Sequence, residues 1–472
     1  MIKTKTVSNL SANSLQLIGN QIFGLVIFYI LSVSLNKTDF GHINLVLAVL
    51  LAVFNILSLG IDQLVIKRVA SGQSAQNTLS LYICHVLIAG LLFYGFLWSG
   101  KILFPHAPVT YSLLLLIGAG KLMIFFSSPF KQVASGMERF KLLAGMSVIS
   151  NMVRCAGLIC LLLFHNITLH NAVIVFVGGD LAELLFSVFL FKIKTKIALL
   201  VKWDWGGYLS LIRESLPQAG VVVITSALAR FDWIYIGFTL SAIKLAEYSF
   251  VYKVFEISTL PLLAIAPLLI PYFTKLFLKN ERETGHLKLL IKFEIMIAVF
   301  IGLILNICWA PVIDALTTGK YGAVNVKTIF ILSLCMPLLY VNNFLWTIYF
   351  AQGQLKMILH SFIISLLINV AGDIVLIPFY KNEGAAFAYL LSVLAQSIFY
   401  LSKNKITDLG GIWGTLLIVT GCALCSGFAI KLFSSNYWPA WPLAVILYVL
   451  LLSVTGQFKL AALKEFRQLF SR

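Results

Sequence analysis

The feature that most constrains this chain is a succession of apolar runs, each long enough to cross a bilayer as a helix. Crossing takes roughly 20 residues at about 1.5 Å of rise per residue. Fourteen such runs can be placed, near 13–34, 41–61, 79–98, 111–130, 142–164, 171–191, 217–240, 245–272, 291–314, 326–350, 358–379, 384–402, 413–432 and 438–456. They are continuously apolar, which excludes barrel strands, where apolar and polar residues alternate. Charged residues make up 11% of the chain, against about 25% in a soluble globule. The expected fold is an all-α integral membrane protein of about 14 transmembrane helices.

Polar residues set the orientation. The net charge is +17, which in a soluble protein would raise nucleic acid as a partner. Here the basic clusters KIKTK (192–196), KLFLKNERETGHLK (275–288) and KLAALKEFRQLFSR (459–472) fall on one side of the membrane when the spans are threaded in order. That is the positive-inside bias. It predicts both termini in the cytoplasm and no nucleic-acid partner. Lys3 and Lys5 precede the first run as in a signal sequence, but no small-residue cleavage site follows, so that run is expected to stay as the first helix. The seven cysteines all fall in predicted spans. Cys422 and Cys425 form a lone CxxC inside one span, which supports neither zinc nor redox chemistry.

The chain reads as two copies of a six-helix unit with two helices added. Residues 31–70 align without gaps to 236–275, matching helix, tight turn and helix. SNMVRCAGLICLLLFHN (150–166) resembles SLLINVAGDIVLIPFYKN (365–382), sharing the Ala-Gly pairs 156–157 and 371–372. The expected division is a lobe over 1–195, a cytoplasmic linker over 196–215, a second lobe over 216–402, and two extra helices with a basic tail over 403–472. Six spans per copy keep both copies in the same orientation, an arrangement found in secondary transporters. Pro261, Pro267 and Pro271 crowd the eighth span and predict a bent helix.

Charges inside the spans mark the functional interior. RFDWIYIGF (230–238) carries Arg230 and Asp232 in the seventh span, although a charge at the bilayer centre costs about 2.5–3.5 kcal/mol even on the lenient insertion scale. Counted from the turn between spans seven and eight, Asp232 shares a depth with Lys253, and Arg230 with Glu256. Arg230 and Asp232 are roughly 200° apart around their helix, whereas Lys253 and Glu256 share a face. The two spans alone cannot satisfy all four charges. Lys121, Arg154, Asp180, Glu183 and Asp373 lie at comparable depth, and the set predicts a polar interior that combines structural ion pairs with substrate contacts. Asn13, Gln16 and Asn20 line one face of the first span, with Gln218 at the start of the seventh. Amides can bind sugar hydroxyls or join helices to one another. No phosphate-binding loop or metal-ligand spacing is found. His165 and His170 have no nearby acid, and the connections on the outer side are too short for an enzyme domain.

Three further stretches carry a resemblance. SLGIDQLVIKRVA (58–70) is similar to the end of the second helix in polysaccharide exporters, a Gly-x-Asp followed by a basic pair. RFDWIYIGF with LAEYSFVYKVFE (245–256) is similar to their Arg-x-Asp and Gly-x-Tyr-Ser stretches, with Ala246 where Gly is usual. INVAGDIVLIPFYKNEGAAFAYLLS (368–392) resembles their eleventh-to-twelfth helix segment. Over most of residues 10–400 the chain resembles the Wzx-type O-antigen and capsule repeat-unit flippases of the multidrug/oligosaccharidyl-lipid/polysaccharide exporter superfamily. The resemblance implies alternating access between two lobes in the bacterial inner membrane and an undecaprenyl-pyrophosphate-linked glycan as substrate. Arg154, Arg230, Lys253 and Lys121 would then hold the pyrophosphate, and Asp62 would act at a gate or helix cap. Membrane lipids, a polysaccharide polymerase and a chain-length regulator are the expected partners. No cofactor is expected, and an H+ or Na+ gradient is the candidate energy source. The alternatives are a lipid II flippase, a drug/cation antiporter, and a membrane-embedded polymerase or acyltransferase.

Overall fold

The computed structural model describes residues 2–103, 109–198, 202–262, 269–270, 273–274, 277, 285–403, 411–433 and 437–458. Every described regular element is helical. Ten of these helices are long and apolar enough to cross a membrane, and Ile18–Ser34 and Trp441–Val454 are shorter apolar helices. The chain divides into two compact units, Met1–Gly237 and Phe238–Arg472.

The first unit contains α1 (Ile2–Ser34), α2 (Lys37–Leu57), α3 (Ile61–Ala70), α4 (Ala75–Leu103), α5 (Val109–Gly136), α6 (Phe140–Leu163), α7 (Leu169–Thr195) and α8 (Trp205–Thr239), the last as far as Gly237. The predicted second span is broken where Leu59 and Gly60 take φ of 49° and 70°. Left-handed backbone ends α2, because a side chain clashes there and only Gly adopts it freely. Gly60 is also a point of contact: a Cβ on it would lie 2.7 Å from Cβ and Cγ of Gln218 in α8. Ile61, Val65, Tyr82, Phe125, Phe191 and Leu211 bury a core shared by α3, α4, α5, α7 and α8. Leu211 ties in the start of α8, which begins at Trp205, inside the predicted linker.

The second unit contains α9 (Ala242–Ser258), α10 (Gly285–Thr317), α11 (Val326–Ala351), α12 (Leu355–Lys403), α13 (Ile412–Phe433) and α14 (Tyr437–Val454). The 49 residues of α12 are two helices joined at Lys381, where φ 53° and ψ −128° leave the helical region. Ser361 donates to the Tyr400 hydroxyl at 2.7 Å, and a Cβ on Gly372 would lie 2.8 Å from that of Ala388. These nested contacts make α12 an antiparallel hairpin, the predicted spans eleven and twelve. Pro267 and Pro271 of the expected bend lie outside the described residues.

The repeat read from the sequence has local counterparts. Aligned positions Asn36 and Ser241 are the N-caps of α2 and α9, accepting from the backbone N–H of Asp39 at 2.8 Å and Lys244 at 3.2 Å. Each satisfies one of the donors that a helix start leaves open. Gly157 and Gly372, the glycines of the shared Ala-Gly pairs, each face a partner helix with no room for a Cβ, against Val175 and Ala388.

Candidate functional site

Four of the charged residues expected inside the membrane, Lys121, Arg154, Asp180 and Glu183, lie on α5, α6 and α7 of the first unit. Arg154 of α6 and Asp180 of α7 form a direct ion pair, with the two residues 6% and 0% exposed. Asp180 Oδ1 also accepts from the Ser150 hydroxyl at 2.9 Å. The Arg154 guanidinium is fixed further by Nε donating to Phe176 O at 3.4 Å and by lying 4.6 Å from the Phe176 ring centroid. Glycines permit this approach: a Cβ on Gly179 would lie 2.7 Å from Arg154 Cγ, and one on Gly120 would lie 2.7 Å from Asp180 Oδ2. Removing one partner of such a buried pair leaves a charge uncompensated, so the pair locks α6 to α7.

One helical turn further along α7, Glu183 accepts from Lys131 Nζ of α5 at 2.6 Å. Lys131 lies just past the predicted end of the fourth span, so the sequence reading did not select it. Lys121 shares the electrostatic neighbourhood of Arg154, Asp180, Glu183 and Lys131. It makes no ion pair within 4.0 Å among the described residues. The cluster thus holds three cations and two carboxylates, in two pairs with Lys121 left over. Its surplus is positive.

Arg230 on α8 likewise forms no ion pair with a carboxylate among the described residues. Its Nη1 donates to Ala229 O at 2.8 Å, and its guanidinium lies 4.5 Å from the Trp233 ring centroid. The ring face attracts the cation and holds it in place without neutralising it. Asp232, 6% exposed, accepts from the backbone N–H of Trp233 at 2.8 Å. In the second unit, Lys253 pairs with Glu256 along α9 at 2.7 Å, as their shared face predicts. Asp373 is fully buried in α12.

The remaining predicted positions separate by role. Asn20 accepts from Asn151 of α6 at 3.1 Å, so this amide joins two helices. Gln16 Oε1 is buried and has no hydrogen-bond partner among the described residues. The Asn13 side chain lies outside the described residues. Gln218 packs against Gly60. Asp62 sits in the first turn of α3 and accepts from the Tyr82 hydroxyl of α4. A carboxylate there is stabilised by the helix dipole.

Around Asp62 the first unit clasps the start of α8. Arg68 of α3 pairs with Glu214 at 2.8 Å and donates to Ser210 at 3.2 Å. His85, 2% exposed, bridges Tyr208 Oη at 3.2 Å and Leu57 O at 2.8 Å. Glu214 and Tyr208 were missed because the sequence reading treated residues before 217 as a connection.

Residues 6–277 match the family described as polysaccharide biosynthesis protein. The chain belongs to that family. No curated protein matches it significantly. A solved lipid II flippase MurJ in an inward closed conformation is similar at TM-score 0.71 and 15% identity, covering 94% of this chain and 98% of that one. A multidrug resistance MATE family transporter of the MOP superfamily, inward-facing, is similar at TM-score 0.67 and 14% identity, covering 87% and 98%. A MOP superfamily transporter from Pyrococcus furiosus is similar at 0.57 and 12% identity, covering 86% and 96%. At these identities the likeness concerns the fold, and it is a multi-pass membrane transporter fold over nearly the whole chain.

Proposed function

We propose that this polysaccharide biosynthesis protein is a flippase. Its substrate is an undecaprenyl-pyrophosphate-linked oligosaccharide repeat unit of O-antigen or a similar surface polysaccharide. It moves that unit by alternating access from the cytoplasmic to the periplasmic face of the bacterial inner membrane, without ATP hydrolysis by this chain. An H+ or Na+ gradient supplies the energy, and the polymerase and chain-length regulator act on the product.

The observation that carries the reading is the pair of cations with no carboxylate partner among the described residues, Lys121 and Arg230, in long apolar helices of a member of this family. An unpaired cation at such depth is costly, and an anionic group compensates it. Pyrophosphate suits Arg230 in particular, since a guanidinium forms two parallel charge-assisted hydrogen bonds to phosphate oxygens. Arg154 and Lys253 are already paired with carboxylates, Arg154 between α6 and α7 and Lys253 along α9, so the pyrophosphate is assigned to Lys121 and Arg230. Gln16 and Gln218 remain the amides for sugar hydroxyls. The similarity to a lipid II flippase structure favours one second reading, in which the lipid-linked substrate is the peptidoglycan precursor. A drug/cation antiporter fits a positive surplus poorly.

A deletion strain tests the reading. It should lose surface polysaccharide and accumulate lipid-linked repeat units on the cytoplasmic face. Accumulation of lipid II would transfer the assignment to the second reading, and full-length surface polymer with no redundant transporter would remove both. In complementation, Arg230→Ala and Lys121→Ala should give inserted, abundant protein that exports poorly, and Arg230→Lys should restore little.

A further inference from the structure

The end of α7 and the residues that lead into α8 are each held by a hydrogen bond to a neighbouring helix or its cap, yet they turn large aromatic and cationic side chains outward. Ser80, 4% exposed, clamps Lys202 from both sides: its hydroxyl donates to Lys202 O at 2.9 Å and accepts from Lys202 N at 2.6 Å. Two residues later Asp204 O accepts from Tyr208 N at 2.9 Å, starting α8. At the other end of the connection, Arg139 donates to Lys194 O. On this frame Trp203 and Trp205 are 52% and 62% exposed. Their rings and that of Tyr208 form a cluster with centroids 5.4, 5.8 and 6.2 Å apart.

Exposed cations precede and follow the rings along the chain. Lys192, Lys194, Lys196, Lys202 and Arg213 are exposed, and none forms an ion pair among the described residues. The acids in the described stretch from Lys192 to Glu214 are Asp204 and Glu214, and Glu214 is engaged by Arg68. Two ordered, exposed indoles are unfavourable in water and favourable at the headgroup level of a bilayer, where an apolar ring meets a polar edge. Clustered lysines at that level attract anionic lipid, each contributing within a Debye length of the surface. A basic cluster that served orientation alone would need neither the rings nor the Ser80 clamp.

We infer that the end of α7 and the start of α8 carry a docking surface for anionic phospholipid, with Trp203, Trp205 and Tyr208 seated among the headgroups and Lys192, Lys194, Lys196 and Lys202 on the phosphates. The occupant is a lipid of the surrounding bilayer, and the inference is independent of which glycan the protein carries.

The test uses the full-length chain in nanodiscs and measures association of spin-labelled phosphatidylglycerol relative to spin-labelled phosphatidylcholine. The wild type should prefer phosphatidylglycerol, and raised salt should weaken that preference. The quadruple variant Lys192→Gln, Lys194→Gln, Lys196→Gln, Lys202→Gln should lose about tenfold or more of it, since several lysines act together. The corresponding Lys→Arg quadruple should keep it, which separates loss of charge from loss of fold. Trp203→Ala with Trp205→Ala should shorten lipid residence without reversing the preference. An unchanged preference in a monodisperse quadruple Gln variant overturns the inference. So does displacement of the spin-labelled lipid by millimolar inorganic phosphate, which would make the surface a free-phosphate site. Lys121→Ala, which tests the flippase reading, should leave the lipid preference as in the wild type, so the two proposals fail separately.

Discussion

The two units solve the same packing problem with different chemistry. In the first unit, ion pairs run between helices: Arg154 to Asp180 joins α6 and α7, Lys131 to Glu183 joins α5 and α7, and Arg68 to Glu214 joins α3 and α8. In the second, the Lys244–Glu247 and Lys253–Glu256 pairs lie along the single helix α9. Its buried cross-helix contacts include neutral ones. Asn342 of α11 donates to Val393 O at 3.0 Å and Gln396 at 3.2 Å, and accepts from Ser397 at 2.7 Å, all three on α12. The Tyr349 hydroxyl donates to Tyr400 O at 2.7 Å. A charge pair fixes helix register strongly but penalises the loss of either member. An amide–hydroxyl ladder gives up its contacts in smaller steps. The unit with unpaired cations is therefore also the one in which a single substitution does most damage.

That contrast can be broken most directly at Asp180. Asp180→Ala leaves Arg154 buried without its anion and should destabilise the protein by about 3–5 kcal/mol, read as a lower midpoint of thermal unfolding in detergent. Adding Arg154→Leu should recover most of the loss. A single variant as stable as the wild type would mean that the pair does not hold the first unit together. The equivalent strike on the second unit is Asn342→Ala, expected to cost about 1–2 kcal/mol in the same measurement. An effect as large as that of Asp180→Ala would erase the distinction between the units. At Arg68→Gln, where the Glu214 side chain is 51% exposed, the change should be about 0.2–1 kcal/mol. Lys253→Gln closes the series at about 0.2–0.5 kcal/mol, the usual worth of a pair three residues apart on one helix.

How much of this was legible in the sequence depends on the range of the interaction. Apolar runs are local signals, and each predicted span overlaps a described helix. The repeat is also local, and it located the matched caps Asn36 and Ser241 and the packing glycines Gly157 and Gly372. Shared faces within one helix were readable for the same reason, as Lys253 and Glu256 show. Pairing between helices was not. Depth and helical phase could place Arg154 and Asp180 at comparable levels, but they could not choose between many equivalent partners. Lys131 fell outside the reading because hydropathy ended its span one residue too early. Glu214 fell outside it because it lies in the stretch expected to be a linker, while the structure begins α8 at Trp205.

The left-handed pair Leu59–Gly60 has a mechanical consequence. An unbroken helix behaves as a stiff rod, because every turn is bonded to the next and a push at one end tilts the whole length. At 59–60 that ladder is interrupted, so α2 and α3 are two rods meeting at a coupling. A pull on Arg68 is delivered as rotation at the coupling, with α2 left standing. Gln218 sits in the crook of the joint, 2.7 Å from where a Cβ on Gly60 would be. Even the smallest side chain at residue 60 would act as a wedge, and the joint would seize with α3 and α8 forced apart.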